Sequence, residues 1–266
     1  MIDIDGFEEY LCDEELSKNT RESYMFSVRD FAKNFETVTK ENIISWKQNL
    51  LADKSPKTVN LRLSAMGKYC KYKNLNIPVK RVKVQKILSV EDVITLDEYE
   101  RLLDGLVKDN KIHFAIIVVL MGKTGARISE VLRLRKRDLQ KDHIDMKTKG
   151  KVRRIYFPDS LKIQLEKWTA DMQEESYLCR THSGNPITRN GVYEFLKACS
   201  ARYGIPKSHL HPHAFRHMFA IEFLKRNNNI SLLADLLGHS GVNTTMIYLR
   251  MSQQEQKKEI DKAVSW

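Results

Sequence analysis

Cysteine is scarce in this sequence. The four present (Cys12, Cys70, Cys179 and Cys199) are scattered, with no CxxC pair, which argues against a zinc ribbon or a disulfide framework and fits a reducing compartment. Long apolar runs are lacking as well. The longest, Phe114 to Met121, falls far short of the roughly 20 residues needed to cross a bilayer. The opening MIDIDGFEEY is acidic, unlike the Lys/Arg-led start of a secretory signal. A phosphate-binding loop for ATP is missing too: Gly122-Lys123-Thr124 suggests one, but Ile117 stands where that motif needs glycine. The expectation is a soluble, cytoplasmic protein that uses no nucleotide.

What is present points to a globular chain with a polyanionic partner. Among 266 residues, 42% are hydrophobic and 30% charged, enough apolar material for one large domain or two ordinary ones. Lys and Arg total 45 against 34 Asp and Glu, a formal net charge of +11. A surplus of that size favours nucleic acid, because each phosphate neutralised releases a condensed counterion.

The first third reads as a small bundle of four helices. Phe7, Tyr10 and Leu11 mark one. Tyr24, Phe26, Val28 and Phe31 mark a second, following cap signals at Ser17 and Thr20, and Ile43, Ile44, Trp46 and Leu50 mark a third. The fourth opens at Ser55-Pro56, an N-cap with proline at the first helical position, and runs through Val59, Leu61, Leu63, Met66 and Tyr69. From Lys68 to Lys86 come seven basic residues and no acidic one, suited to crossing a phosphate backbone. The predicted division is a helical domain over 1–80, a basic linker over 81–94 and a second domain over 95–266.

That second domain should open on a capping box, Thr95 with Glu98 three residues later. Helices are expected near 96–107, 111–121, 128–135, 160–173, 189–203, 213–226, 230–237 and 242–250. A glycine-containing turn between His143-Ile-Asp-Met and Val152-Arg-Arg-Ile-Tyr-Phe157 reads as a two-stranded hairpin. The fold class is therefore mainly α with one small sheet. An amphipathic tail runs from Gln253 to Val264.

Four patches carry chemistry. In Thr124-Gly-Ala-Arg-Ile-Ser-Glu130, Arg127 stands at the first turn of a helix, where a cation gains nothing from the dipole. It can serve an anionic ligand, oriented by Glu130, or form a surface pair with that residue. Lys149 beside Gly150 places an ammonium at the hairpin turn, able to act as a general acid or simply solvated. Four of the eight histidines fall between His209 and His217. His213 and His217, one helical turn apart, invite a metal, but no Glu follows His213, no cysteine is close, and Arg216 would set a positive charge beside the cation. The first turn of that helix suits an anion better, with His213 and Arg216 on one face. Last, Gly238-His239 reads as a helix stop followed by a short helix carrying Tyr248, nine residues after His239 (248 − 239 = 9).

Taken together, in order and spacing, these patches resemble the tyrosine recombinases, or lambda-type integrases. The matching segments are TGARISEVLRL around Arg127, TKGKVRR around Lys149, HAFRHMFA from His213, and LGHSGVNTTMIY ending in Tyr248. The resemblance implies that Arg127 and Arg216 bind the scissile phosphate while His213 and His239 assist. It implies that Lys149 protonates the leaving 5′-oxygen, with Lys151 as the alternative, and that Tyr248 attacks phosphorus to leave a 3′-phosphotyrosine. His217 is expected to be structural. No metal is implied, because two arginines can do the charge work a divalent ion does elsewhere, and no nucleotide cofactor, because the covalent link conserves the phosphoester's energy. The partner implied is double-stranded DNA bearing recombination sites, held in a C-shaped clamp of core-binding and catalytic domains. Four protomers would synapse two sites through a Holliday junction, in a nucleoid-associated enzyme that is a monomer when free. The tail would dock on a neighbouring protomer or on its own domain. A separate arm-binding domain is not expected, since the bundle begins almost at Met1. Two other readings are a type IB topoisomerase, which uses a similar residue set, and a DNA-binding regulator without catalysis.

Overall fold

The computed structural model describes residues 2–84, 92–148, 151–181, 183–238, 241, 244–249, 260–262 and 264. The chain divides into two compact units, residues 1–86 and 87–266, each with an apolar core of its own.

The first unit is the bundle α1 (Ile4–Asp13), α2 (Lys18–Ala32), α3 (Lys40–Asp53) and α4 (Pro56–Tyr72). Short polar side chains start three of the four helices. Asp3 accepts from Gly6 N, Thr39 from Asn42 N and Ser55 from Thr58 N, each satisfying a donor that the first turn leaves open. Phe7, Val28, Phe31, Trp46, Leu63 and Tyr69 pack the centre. Phe26, Ile44 and Leu61, expected on the apolar faces, are instead exposed. Phe26 and Ile44 each lie one residue from a buried one, Met25 and Ile43, and Leu61 lies two from Val59 and Leu63, so helical rotation turns all three to solvent. Past α4 the chain still belongs to this unit: Val82 N donates to Asn60 Oδ1 at 2.7 Å and Asn60 Nδ2 donates back to Val82 O at 2.9 Å. Much of the expected linker, residues 85–91, lies outside the described residues.

The second unit opens with α5 (Leu96–Lys108), on the Thr95/Glu98 capping box, and α6 (Ile112–Thr124). Helix α6 is apolar nearly all round and is buried from Ala115 to Gly122, as suits a helix surrounded by others. A short helix α7 (Ile128–Val131) and a 3-10 turn (Lys136–Gln140) lead to the hairpin β1 (His143–Thr148) and β2 (Lys151–Tyr156). The hairpin is antiparallel, in register from His143–Tyr156 to Thr148–Lys151. Helices α8 (Asp159–Trp168), α9 (Arg189–Tyr203), α10 (Pro212–Arg226) and α11 (Ile230–Leu237) follow, then a 3-10 turn (Met246–Leu249).

Three elements are shorter than their periodicity predicts. The 128–135 helix stops at Val131 because Leu134 O accepts from Leu178 N and Arg135 bridges to Tyr177. Burial, not helix continuation, explains the apolar spacing there. The 160–173 helix ends at Trp168, where Thr169 Oγ1 turns back to Leu165 O at 2.8 Å. The segment around Tyr248 is a single tight turn. Of the tail, only 260–262 and 264 are described, with Ile260 and Val264 exposed.

Candidate active site

Helix α6 ends at Gly125, whose left-handed backbone (φ 59°) turns the chain sharply. A side chain here would be strained, and its Cβ would lie 2.5 Å from the Phe219 ring. The turn brings Arg127 to the N-cap of α7, where Glu130 holds it at both ends. Glu130 Oε2 accepts from the Arg127 backbone at 2.7 Å, and Oε1 accepts from its Nη1 at 3.0 Å. Nη2 of Arg127 reaches Gly238 O at 3.2 Å. The Glu130 carboxylate is buried while the Arg127 side chain stays 34% exposed, so this is no surface pair. The carboxylate aims the guanidinium and leaves a face of it to solvent.

Helix α10 supplies the next group. His211 caps it, with Nδ1 accepting from Ala214 N at 3.2 Å, and Pro212 fills the first turn. Helical spacing then places His213, Arg216 and His217 within one turn. Arg216 is buried; its Nη1 donates to Gly125 O at 2.9 Å and its Nη2 to Leu237 O. Arg127 and Arg216 thus end on adjacent carbonyls, Gly238 and Leu237, at the C-terminus of α11. Helix C-termini carry unpaired carbonyls and the negative end of the dipole. That is where guanidinium groups can be buried on neutral partners.

A third arginine joins them. Strand β2 alternates, so Arg153, Ile155 and Phe157 turn inward, while Arg154 faces out and pairs with Asp145 at 3.0 Å. Arg153 Nη1 meets Glu130 Oε2, Nε donates to Leu236 O at 2.7 Å and Nη2 to Gly125 O at 3.3 Å. Arg127 and Arg153 therefore share one carboxylate, with Arg216 beside them on carbonyls alone, a formal local charge of +2 (3 − 1 = 2). Burial first, then the neighbouring Arg153 and Arg127 charges, pull the Arg216 pKa down to about 9. That repulsion is what an anion placed among the three would relieve.

Beside this cluster, His217 Nδ1 lies 2.8 Å from the Tyr248 phenol oxygen, and the His213 ring sits 6.2 Å from that of His217. Burial, then the charges of His213, His211 and Arg216, lowers the His217 pKa to about 4. It is therefore neutral near pH 7 and can accept the phenol's hydrogen bond. His213 is shifted down by burial and then by Arg216 and Arg127. Tyr248 is buried, which raises its pKa against the opposing pull of Arg216.

Of the six predicted residues, then, the second unit brings Arg127, Arg216, His213 and Tyr248 into one neighbourhood. Lys149 and His239 lie outside the described residues, as does the side chain of Lys151. Sequence reasoning missed Arg153, although the alternation of Ile155 and Phe157 was a signal that residue 153 faces inward. The Tyr248 contact of His217, expected to be structural, had no local signal.

Residues 92–255 match the phage integrase family, and residues 4–75 match the N-terminal SAM-like domain of phage integrases. Tyrosine recombinase XerA of Pyrococcus furiosus is 28% identical, over 98% of this chain and 93% of its own. Tyrosine recombinase XerD of Rickettsia bellii is 23% identical over 94% of each. Among solved structures, the XerH site-specific recombinase bound to palindromic difH substrate, a post-cleavage complex, superposes with a TM-score of 0.73. That match is 18% identical and covers 95% of this chain and 83% of the other. The Tn1549 transposon integrase in complex with transposon right end DNA gives 0.72 at 17% identity, with both chains fully covered. At such identities the structural likeness is one of fold.

Proposed function

The chain belongs to the phage integrase family of tyrosine-type site-specific DNA recombinases, and on that premise we propose that Tyr248 is the nucleophile with which it cleaves and rejoins DNA. One observation carries this reading. Arg127 and Arg216 converge on adjacent carbonyls with a net positive surplus, and the residue after Arg216 hydrogen-bonds the Tyr248 phenol.

The chemistry follows from charge. A phosphodiester is already an anion, and in-line attack adds charge to its oxygens, so paired guanidiniums stabilise the transition state. The carbonyls that hold Arg216 are neutral, and a phosphate oxygen competes with them favourably because charge-assisted hydrogen bonds are about twice as strong as neutral ones. A phenol with its ordinary pKa near ~10 is only about a thousandth ionised at neutral pH. Tyr248 therefore needs an acceptor for its proton as the O–P bond forms. The neutral imidazole of His217 stands 2.8 Å from the phenol oxygen, and His213 and His239 are expected to assist. As the P–O5′ bond breaks, the 5′-oxygen takes a proton, assigned to Lys149 or, failing that, Lys151. The product is a 3′-phosphotyrosine and a free 5′-hydroxyl. Resealing reverses the step with no nucleotide, because the covalent bond conserves the phosphoester.

In this reading the first unit is the core-binding domain and the basic stretch approaching residue 86 tracks the DNA backbone. Four protomers synapse two sites and exchange strands through a Holliday junction, as cytoplasmic enzymes at the nucleoid or on a mobile element.

The test is a nicked suicide DNA substrate. The wild-type chain should form a protein–DNA adduct that survives denaturant, and Tyr248→Phe should form none. An adduct with the variant would remove Tyr248 from its role, and no adduct with either would favour a non-catalytic DNA-binding regulator. Full-rate relaxation of a plasmid that lacks any recombination site would instead indicate a type IB topoisomerase.

A further inference from the structure

We infer that Arg153 is a positioning residue for strand cleavage: it holds the buried frame on which Arg127 and Arg216 are set. The inference rests on the reading of Tyr248 and the two arginines given above, and goes beyond it.

Four contacts support it. Arg153 shares the Glu130 carboxylate with Arg127, taking Oε2 while Arg127 Nη1 takes Oε1. It shares Gly125 O with Arg216. Its Nε holds Leu236 O, one residue before the carbonyl that receives Arg216. Its stem also fills the space that a side chain at position 238 would need, since a Cβ on Gly238 would lie 2.5 Å from Arg153 Cδ. Gly238 has a left-handed backbone (φ 61°), and the chain leaves it directly into His239. One guanidinium thus ties together the carboxylate that holds Arg127, the carbonyl that receives Arg216 and the end of α11.

It does not touch substrate. All three of its nitrogens are engaged, and its side chain is only 4% exposed. Its strongest partner is a carboxylate, which a DNA phosphate cannot displace as it can a carbonyl. The effect on catalysis runs through Glu130. While Arg153 occupies Oε2, Glu130 neutralises two cations at once and Arg127 keeps charge for the phosphate. Without Arg153 the full carboxylate charge falls on Arg127. The guanidinium that should meet the scissile phosphate is then compensated internally, and the carbonyls of Gly125 and Leu236 lose a donor.

The experiment compares Arg153→Lys, Arg153→Met and Glu130→Gln, with the Arg153→Met/Glu130→Gln double variant. Three readouts are used: adduct formation at saturating suicide substrate, DNA affinity by titration, and thermal melting. For Arg153→Met, cleavage at saturating DNA should fall on the order of 100-fold, with affinity changed less than about threefold. Arg153→Lys should recover part of the rate, because an ammonium can keep one bond to Glu130 but not the fork. Glu130→Gln should cost much less in the Arg153→Met background than alone, since the two residues act on Arg127 together. Should Arg153→Met fail to melt cooperatively, the lysine variant decides. Wild-type cleavage by Arg153→Lys, or additive losses in the double variant, would show a packing residue only and overturn the positioning role. So would a rate loss matched by lost affinity. Were the wild-type chain to form no adduct, the reading of Tyr248 would fall and this role with it. An adduct from wild type with unaffected variants would sink the Arg153 role alone.

Discussion

The ion pairs of the first unit and the arginine cluster of the second handle positive charge in opposite ways. In the first, cations are matched to carboxylates: Lys73 to Asp3 at 2.7 Å, Lys68 and Lys71 to Glu14 at 2.8 and 3.5 Å, Arg29 to Glu8 at 3.4 Å and Arg62 to Asp30 at 3.5 Å. Three of the seven basic residues between 68 and 86 are thereby committed to their own bundle. In the cluster two guanidiniums share Glu130, and the third, Arg216, leans on backbone carbonyls alone. A matched surface pair is nearly neutral in its effect on stability. An unmatched, half-buried cluster is a cost that folding bears and that a bound anion refunds. The lesson is that net charge names the class of partner, while the local ratio of cations to carboxylates locates the site.

That contrast can be broken at several points. The largest effect belongs to the unmatched cluster: Arg216→Ala should still bind DNA yet cleave it on the order of 100- to 1,000-fold more slowly. Normal cleavage in a single-turnover assay would remove Arg216 from the phosphate. Next comes the acceptor beside the nucleophile. His217→Gln should slow adduct formation about 10- to 100-fold, measured with DNA at saturation, and a faster rate would instead make the His217–Tyr248 bond a restraint.

Acid should separate the units by stability. His217 titrates near 4 in the folded protein, and His213 and His211 are also lowered, whereas an unfolded histidine titrates near ~6.5. Between those values the unfolded chain holds more protons, so the second unit should lose stability as pH falls from about 6.5 towards 4. In the first unit, Asp3 and Glu14 are held at about 2, chiefly by Lys73 and Lys68. Their contribution is present above the usual carboxylate range and is lost only as pH falls towards 2. Melting scans at pH 7.5 and 5 should therefore show the second unit shifting more, and His217→Gln should reduce that shift. The smallest effect is expected from an exposed matched pair: Lys73→Ala should leave the melting temperature close to that of wild type.

Much of the fold was legible in the residues. The caps at Thr95 and Ser55, the hairpin, and the helices at 189–203 and 230–237 stand where their patterns predict. Expectation and structure part in two ways. The 128–135 helix is cut short by a partner distant in sequence, Leu178, and the buried place expected for Phe26 is taken by its neighbour Met25. At the candidate site, the motifs singled out Arg127, His213, Arg216 and Tyr248, which the structure gathers, but not the third arginine, nor that Glu130 would be buried between two of them.

What the sequence determined by itself is everything set within a turn or two of chain: helix starts, the inward alternation of β2, the spacing of His213 to Arg216, and the family those spacings identify. Tertiary structure alone decided which acceptors the arginines meet. Arg153 finds Leu236 across 83 residues, Arg216 finds Gly125 across 91, and Arg127 finds Gly238 across 111. Local propensity cannot encode such pairs, because a helix end offers its carbonyls to whichever donor packing delivers, and only the closed core of the second unit brings those donors within reach.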